Sequence, residues 1–178
     1  YKATYFSPVG KITLASDGDN IIGLWLEGQK YYGGTLTEKC ITRENIPVFL
    51  SAKAWLDKYF AGERPLIENL PLLPKGWRIS TECVEAFMSD SVRRGGDLWG
   101  YCKKMAVVTG QPKMSAQAVG GAVGHNPISI IIPCHRVVGT NGSLTGYAGG
   151  IDVKIKLLTL EGADMKRLFI PKKVQLCD

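Results

Sequence analysis

The chain is short of everything that would tie it to a membrane, a bound metal or a disulfide scaffold. No apolar run approaches the roughly 20 residues needed to cross a bilayer. The first residues, Tyr1-Lys2-Ala3-Thr4-Tyr5, lack the basic-then-apolar order of a secretion signal. A cytoplasmic protein with no membrane partner is expected. There are two histidines, His125 and His135, and five cysteines, Cys40, Cys83, Cys102, Cys134 and Cys177, which are odd in number, widely spaced and without a CxxC pair. Structural zinc needs four soft ligands at short spacings, so neither a metal site nor a disulfide framework is expected. No internal repeat or low-complexity tract is present.

What is there reads as an ordinary folded protein. With 178 residues, 45% hydrophobic and 21% charged, the chain can form one large domain or two small ones around a real core. The net charge of +6 permits nucleic acid without demanding it.

The first quarter reads as three strands, 1–6, 11–16 and 21–26, joined by the turns Ser7-Pro8-Val9-Gly10 and Asp17-Gly18-Asp19-Asn20. Asn45 is the expected cap of a helix with Pro47 in its first turn. Val48, Ala52, Trp55, Leu56, Tyr59 and Phe60 recur at helical spacing before Gly62 ends it. Pro65 to Gly76 reads as an extended connector, which places a boundary near residue 74. Helices are expected at 80–90, 98–108 and 114–123, the last two around Thr109-Gly110-Gln111-Pro112 with the outline of a helix-turn-helix. A final helix runs from Asp152 as N-cap to Leu160. The expected class is α+β: a three-stranded antiparallel sheet plus helix over 1–74, then a helical domain over 75–178.

The chemistry concentrates at Pro133-Cys134-His135-Arg136-Val137, which follows Ile130-Ile131-Ile132, expected to be a buried strand. A thiol in an apolar wall is normally inert, but an adjacent imidazole offers a base that forms thiolate when a substrate arrives. The competing reading is a buried structural cysteine beside an unrelated histidine.

The surrounding residues decide between them. Ser115-Ala116-Gln117-Ala118-Val119-Gly120-Gly121 leads through His125-Asn126-Pro127 into the Pro133–Val137 run, and then come Gly146-Tyr147-Ala148-Gly149-Gly150 and Leu160-Glu161-Gly162. This stretch, 114–162, resembles the active domain of the O6-alkylguanine-DNA alkyltransferases, and the start of the chain is similar to their ribonuclease-H-like N-terminal domain. The resemblance implies irreversible, single-use transfer of an O6-alkyl group from guanine onto Cys134, with no cofactor. His135 would be the base, Glu161 its orienter, and Asn126 the tie between the turn after the recognition helix and the reactive loop. Tyr147, Ala148, Gly149 and Val137 would line the base pocket, with Leu98 and Trp99 on the opposite wall. The partner implied is double-stranded DNA, read in the minor groove with the target nucleotide flipped out by a winged helix-turn-helix-like element carrying Ser115, Gln117, Ala118, Gly120 and Gly121, with Arg136 nearby. A monomer is expected.

Residues 77–111 depart from the family pattern. Aligned without gaps, the family's leaving-group tyrosine falls on Leu98, which has no donor. A missing transition-state hydrogen bond of this kind costs a few kcal/mol. Either Trp99 or Arg93 takes over that role, or the wall is remodelled so that Cys134 accepts alkyl from a small non-DNA donor. An insertion near Gly95-Gly96 would instead return Trp99-Gly100 to the expected slot. A non-catalytic lesion-binding module is opposed by the presence of Cys134. A cysteine hydrolase is opposed by adjacent Cys and His, which suit that geometry poorly.

Overall fold

Short turns and alternating side chains build the first half of the chain. The computed structural model describes residues 1–75 and 121–171, apart from 35, 38, 122, 140 and 145. Strands β1 (Lys2–Ser7), β2 (Gly10–Ser16) and β3 (Ile21–Leu26) form an antiparallel sheet in the order β1-β2-β3. The β1–β2 register is set by a tight turn in which Ser7 pairs with Gly10, and the Ser7 hydroxyl donates to the Gly10 carbonyl at 2.6 Å. At the second turn Asp17 Oδ1 accepts from the Asn20 amide at 2.9 Å. An aspartate carboxylate substituting for a backbone acceptor is what favours this residue in turns.

Helix α1 (Pro47–Phe60) covers one face of the sheet with Val48, Phe49, Ala52, Trp55, Leu56 and Tyr59. Its N-cap is Ile46, without a side-chain cap bond, and not Asn45. Pro47 at the first helical position has no amide needing a partner, so the missing cap is less costly there. The helix closes as expected at Gly62 (φ +84), whose amide donates to Tyr59 O while Glu63 N reaches Lys58 O. Helix α2 (Ile151–Leu160) begins on Gly150 (φ 89) as N-cap. Asp152 therefore sits inside the first turn, where its charge complements the helix dipole instead of capping it. Gly162 closes α2 with the same pair of bonds, to Thr159 O and from Ala163 N to Leu158 O.

One apolar cluster joins the two ends of the chain. It contains Ile12, Leu14, Leu24 and Leu26 from the sheet, Phe49 and Leu56 from α1, and Ile128, Ile131, Ile132 and Leu157 from the C-terminal half. Each such side chain contributes about 1.5–3 kcal/mol by leaving water. An exposed ion pair such as Lys11–Glu27 at 3.2 Å adds about 1 kcal/mol or less, so apolar burial dominates the packing. The edge of β3 continues the connection: Leu24 N donates to Pro127 O at 2.8 Å and Ser129 N to Leu24 O at 2.9 Å. The N-terminal sheet thus holds directly the segment that leads into Cys134.

The helices expected within 80–108, the helix-turn-helix, and Cys83, Cys102 and Cys177 lie outside the described residues. Residues 121, 123 and 124 are helical, where the expected recognition helix ends. No helix among the described residues is long and apolar enough to cross a membrane.

Candidate active site

The run Ile130-Ile131-Ile132 is not a strand. It is a buried turn, with Ile130 in the left-handed region (φ 69) and Ile132 N bonded back to Ile128 O at 3.1 Å. A β-branched residue in that conformation stores about 1–3 kcal/mol of strain and persists only where its surroundings hold it. The three isoleucines are at most 1% exposed, so packing supplies that restraint. The turn delivers Pro133 and then a 3-10 turn at Cys134–Arg136.

Asn126 organises this loop. Its Nδ2 donates to Ile132 O at 2.8 Å, to Cys134 Sγ at 3.0 Å and to Ile128 O at 3.2 Å, while its Oδ1 accepts from Ile128 N at 2.9 Å. The N-terminal half braces the same loop. Ser129 donates its hydroxyl to Gln29 Oε1 at 3.1 Å, and Lys30 N donates to Ala148 O at 2.9 Å.

Cys134 is buried, and burial pushes its thiol up to about 11, with the Asn126 hydrogen bond and the Lys154 charge offsetting part of the rise. The resting sulfur is therefore a thiol at neutral pH. His135 is fully buried, and burial lowers its basicity while Glu161 partly restores it. Burial alone would raise the Glu161 carboxyl, but the hydrogen bonds and charges of His135 and Arg136 outweigh it and carry it down to about 2. An ionised carboxylate can only accept, so the 2.8 Å contact assigns the proton to His135 Nε2 and leaves Nδ1 with a free lone pair. His135 Nδ1 and the Tyr147 hydroxyl are buried without a hydrogen-bond partner among the described residues. Both belong to residues at the reactive loop, since the His135 and Tyr147 rings meet edge to face at 6.1 Å.

Most of the expected residues with described positions converge here. Val137 is buried at the end of the 3-10 turn, and Ala148 and Gly149 are half-buried beside Tyr147. A Cβ on Gly149 would come within 2.7 Å of the Tyr147 ring and 2.9 Å of Leu26, so a side chain there would have to displace one or both. Gly121 is exposed at the end of its helix. Arg136 donates to Glu161 with Nε on Oε2 at 2.8 Å and Nη2 on Oε1 at 3.1 Å. Leu98, Trp99, Ser115, Gln117, Ala118 and Gly120 lie outside the described residues.

Two participants were not foreseen. Lys154, fully buried on α2, donates from Nζ to Val137 O at 2.6 Å, and burial lowers its ammonium to about 8. Its signal was a lysine in register with Leu157 and Leu158 on the apolar face of a helix. Tyr59 of α1 donates its hydroxyl to Glu161 Oε1 at 2.8 Å. Nothing local marks a contact between residues 102 apart.

A nucleophile, a base with an open lone pair and a carboxylate behind it can carry out a displacement at sulfur. Comparison with known proteins converges on that chemistry. Residues 1–74 match the 6-O-methylguanine DNA methyltransferase ribonuclease-like domain, and residues 96–163 match the DNA binding domain of the same family. The methylated-DNA–protein-cysteine methyltransferase of Haemophilus influenzae is 38% identical over 90% of this chain and 86% of its own. The chain belongs to the 6-O-methylguanine DNA methyltransferase family. A second relative, from Methanosarcina acetivorans, is 39% identical over 92% of this chain and 99% of its own. The crystal structure of the Mycobacterium tuberculosis O6-methylguanine methyltransferase aligns with a TM-score of 0.74 at 32% identity, covering 100% of this chain and 99% of that one. The same organism's OGT in complex with DNA aligns with a TM-score of 0.73 at 32% identity, covering 94% of each chain. The family's α+β architecture is thus the one expected from the sequence. The DNA-binding match begins at 96, so the atypical stretch 77–111 is partly inside the family pattern and partly between its two domains.

Proposed function

We propose that the protein is a DNA repair alkyltransferase that moves an O6-alkyl group from guanine onto Cys134, once per molecule. The observation that carries this is the adjacency on one braced 3-10 turn of Cys134, whose sulfur accepts from Asn126, and His135, whose ring is held by Glu161. In the proposed step, Cys134 sulfur forms a bond to the alkyl carbon as the carbon–O6 bond breaks. The thiol proton passes, relayed by water, to His135 Nδ1, and the imidazolium is held against Glu161. A proton returns to the guanine, which leaves as the unmodified base. Thioethers do not hydrolyse, so transfer is stoichiometric, and the site needs no cofactor.

The finer reading follows the family pattern. Val137, Tyr147, Ala148 and Gly149 line the pocket for the flipped guanine, with Leu98 and Trp99 opposite. Backbone without side chains at Gly149 lets a flat ring approach closely. Ser115, Gln117, Ala118, Gly120 and Gly121 face the minor groove of duplex DNA, where small residues permit close approach to the backbone. Arg136, which also holds Glu161, belongs with the DNA-facing residues in this reading. The division into 1–74 and 75–178, a monomeric state and a cytoplasmic site of action belong to the same proposal.

Incubation with an O6-methylguanine duplex and, separately, with free O6-benzylguanine tests it by intact-protein mass. Adduct from the duplex, lost in Cys134→Ala, is the expected result, with duplex affinity falling steeply as salt rises. Adduct from the small donor alone would instead favour a remodelled self-labelling protein, and adduct from neither would overturn alkyl transfer.

A further inference from the structure

Glu161 Oε1 is shared. It accepts from His135 Nε2 at 2.8 Å, from the Tyr59 hydroxyl at 2.8 Å and from Arg136 Nη2 at 3.1 Å. Tyr59 is buried on α1, stacked on Trp55 with centroids 5.4 Å apart and meeting Phe60 edge to face at 5.2 Å, so its hydroxyl has little freedom to leave. The carboxylate plane is already fixed by two bonds from Arg136. What Tyr59 adds is a third donor on Oε1, which acts on the charge of the carboxylate that holds His135. A donor on Oε1 draws charge away from the neighbouring Nε2–H bond, and a carboxylate that is partly neutralised stabilises an imidazolium less.

We propose that Tyr59 is a positioning residue for alkyl transfer: by sharing Glu161 Oε1 with His135, its hydroxyl sets how firmly His135 holds the proton taken from Cys134. The inference rests on the alkyl-transfer reading above. It links helix α1, in the part of the chain remote from the reactive loop in sequence, to the chemistry through Glu161. Among the described residues the other charged or titratable groups facing this pair are Arg136, Lys154, Tyr147 and Cys134, and Tyr59→Phe leaves all four residues in place.

Tyr59→Phe keeps both ring contacts and deletes the donor. With that donor gone, Glu161 bears more charge toward His135, the imidazolium is favoured, and His135 stays protonated to higher pH. Titration of the two histidines by NMR in the full-length protein, beside the pH profile of transfer from an O6-methylguanine duplex, reads this out. The expected result is an upward shift of about 0.5–1 pH unit in both the His135 midpoint and the acid limb of the rate, with the His125 signals coinciding in the two proteins. Site-specific ortho-fluorotyrosine at position 59, a stronger donor, should move both downward. A Tyr59→Phe protein with an unmoved or lowered His135 midpoint overturns the proposal, whatever its rate. Absence of any Cys134 adduct in the unaltered protein would count against the alkyl-transfer reading instead, because the NMR midpoint is measured without substrate.

Discussion

Replacing Asn126 by alanine should damage folding and chemistry together, by amounts that the contacts around it set. The side chain makes four contacts: Nδ2 to Ile128 O, Ile132 O and Cys134 Sγ, and Oδ1 from Ile128 N. After truncation, Ile132 O keeps its 2.8 Å bond from Cys134 N, and Ile128 O keeps its 3.1 Å bond from Ile132 N. Ile128 N is the group left without its partner, in a residue that is 0% exposed. An orphaned buried amide costs about 1–3 kcal/mol, and two weakened carbonyls about 1 kcal/mol each, for a total near 3–5 kcal/mol. That is a large part of the roughly 5–15 kcal/mol that keeps a domain folded. The lost Nδ2 donor also raises the thiol further, so transfer in the surviving folded protein should slow by about tenfold or more. Urea unfolding and the time course of adduct formation measure the two effects separately. An Asn126→Ala protein within about 0.5 kcal/mol of the parent, or one that transfers alkyl at the parent rate, would refute the reasoning, because either outcome means the turn and the thiol do not depend on this amide.

Glu161 predicts a pH dependence of stability. Its folded carboxyl lies near 2 against an ordinary 4.5, so its contribution is complete above pH 4.5 and is lost as pH falls from there toward 2. Urea unfolding should show about 2 kcal/mol less stability at pH 3 than at pH 6 from this group, and Glu161→Gln should flatten that acid limb. Gly149→Ala forces a methyl against the rigid Tyr147 ring, which should cost about 1–3 kcal/mol in thermal or urea unfolding and slow transfer through displacement of Tyr147. Lys154→Met preserves volume but removes the cation that favours the Cys134 thiolate, so the rate of adduct formation should fall about tenfold at pH 7.

The elements that could be read from residue order are those whose cause is local. Strands β1 to β3 follow from alternation between two strong turns, and α1 follows from apolar residues at helical spacing closed by Gly62. Where an element's limit depends on where the backbone leaves helical geometry, the side-chain cues misled. Asn45 and Asp152 are good caps in type, yet Ile46 and Gly150 occupy the cap positions. The run at 130–132 has the composition of a buried strand, and periodicity cannot tell that from a buried turn. Cys134, His135, Glu161 and Asn126 are the residues that the family resemblance singles out, and the structure sets Asn126 against Cys134 and His135 against Glu161. The reach of Tyr59 to Glu161 and the inward face of Lys154 depend on how α1 and α2 are docked, which no local pattern encodes.

The most direct test of the account is peptide mapping by mass spectrometry after exposure to excess O6-methylguanine duplex at pH 7. One methyl per protein is expected, carried on Cys134, with the reaction stopping at that stoichiometry. Methyl on the half-buried Cys40 or another residue with Cys134 unmodified, or continued demethylation of the duplex beyond one equivalent, would contradict it.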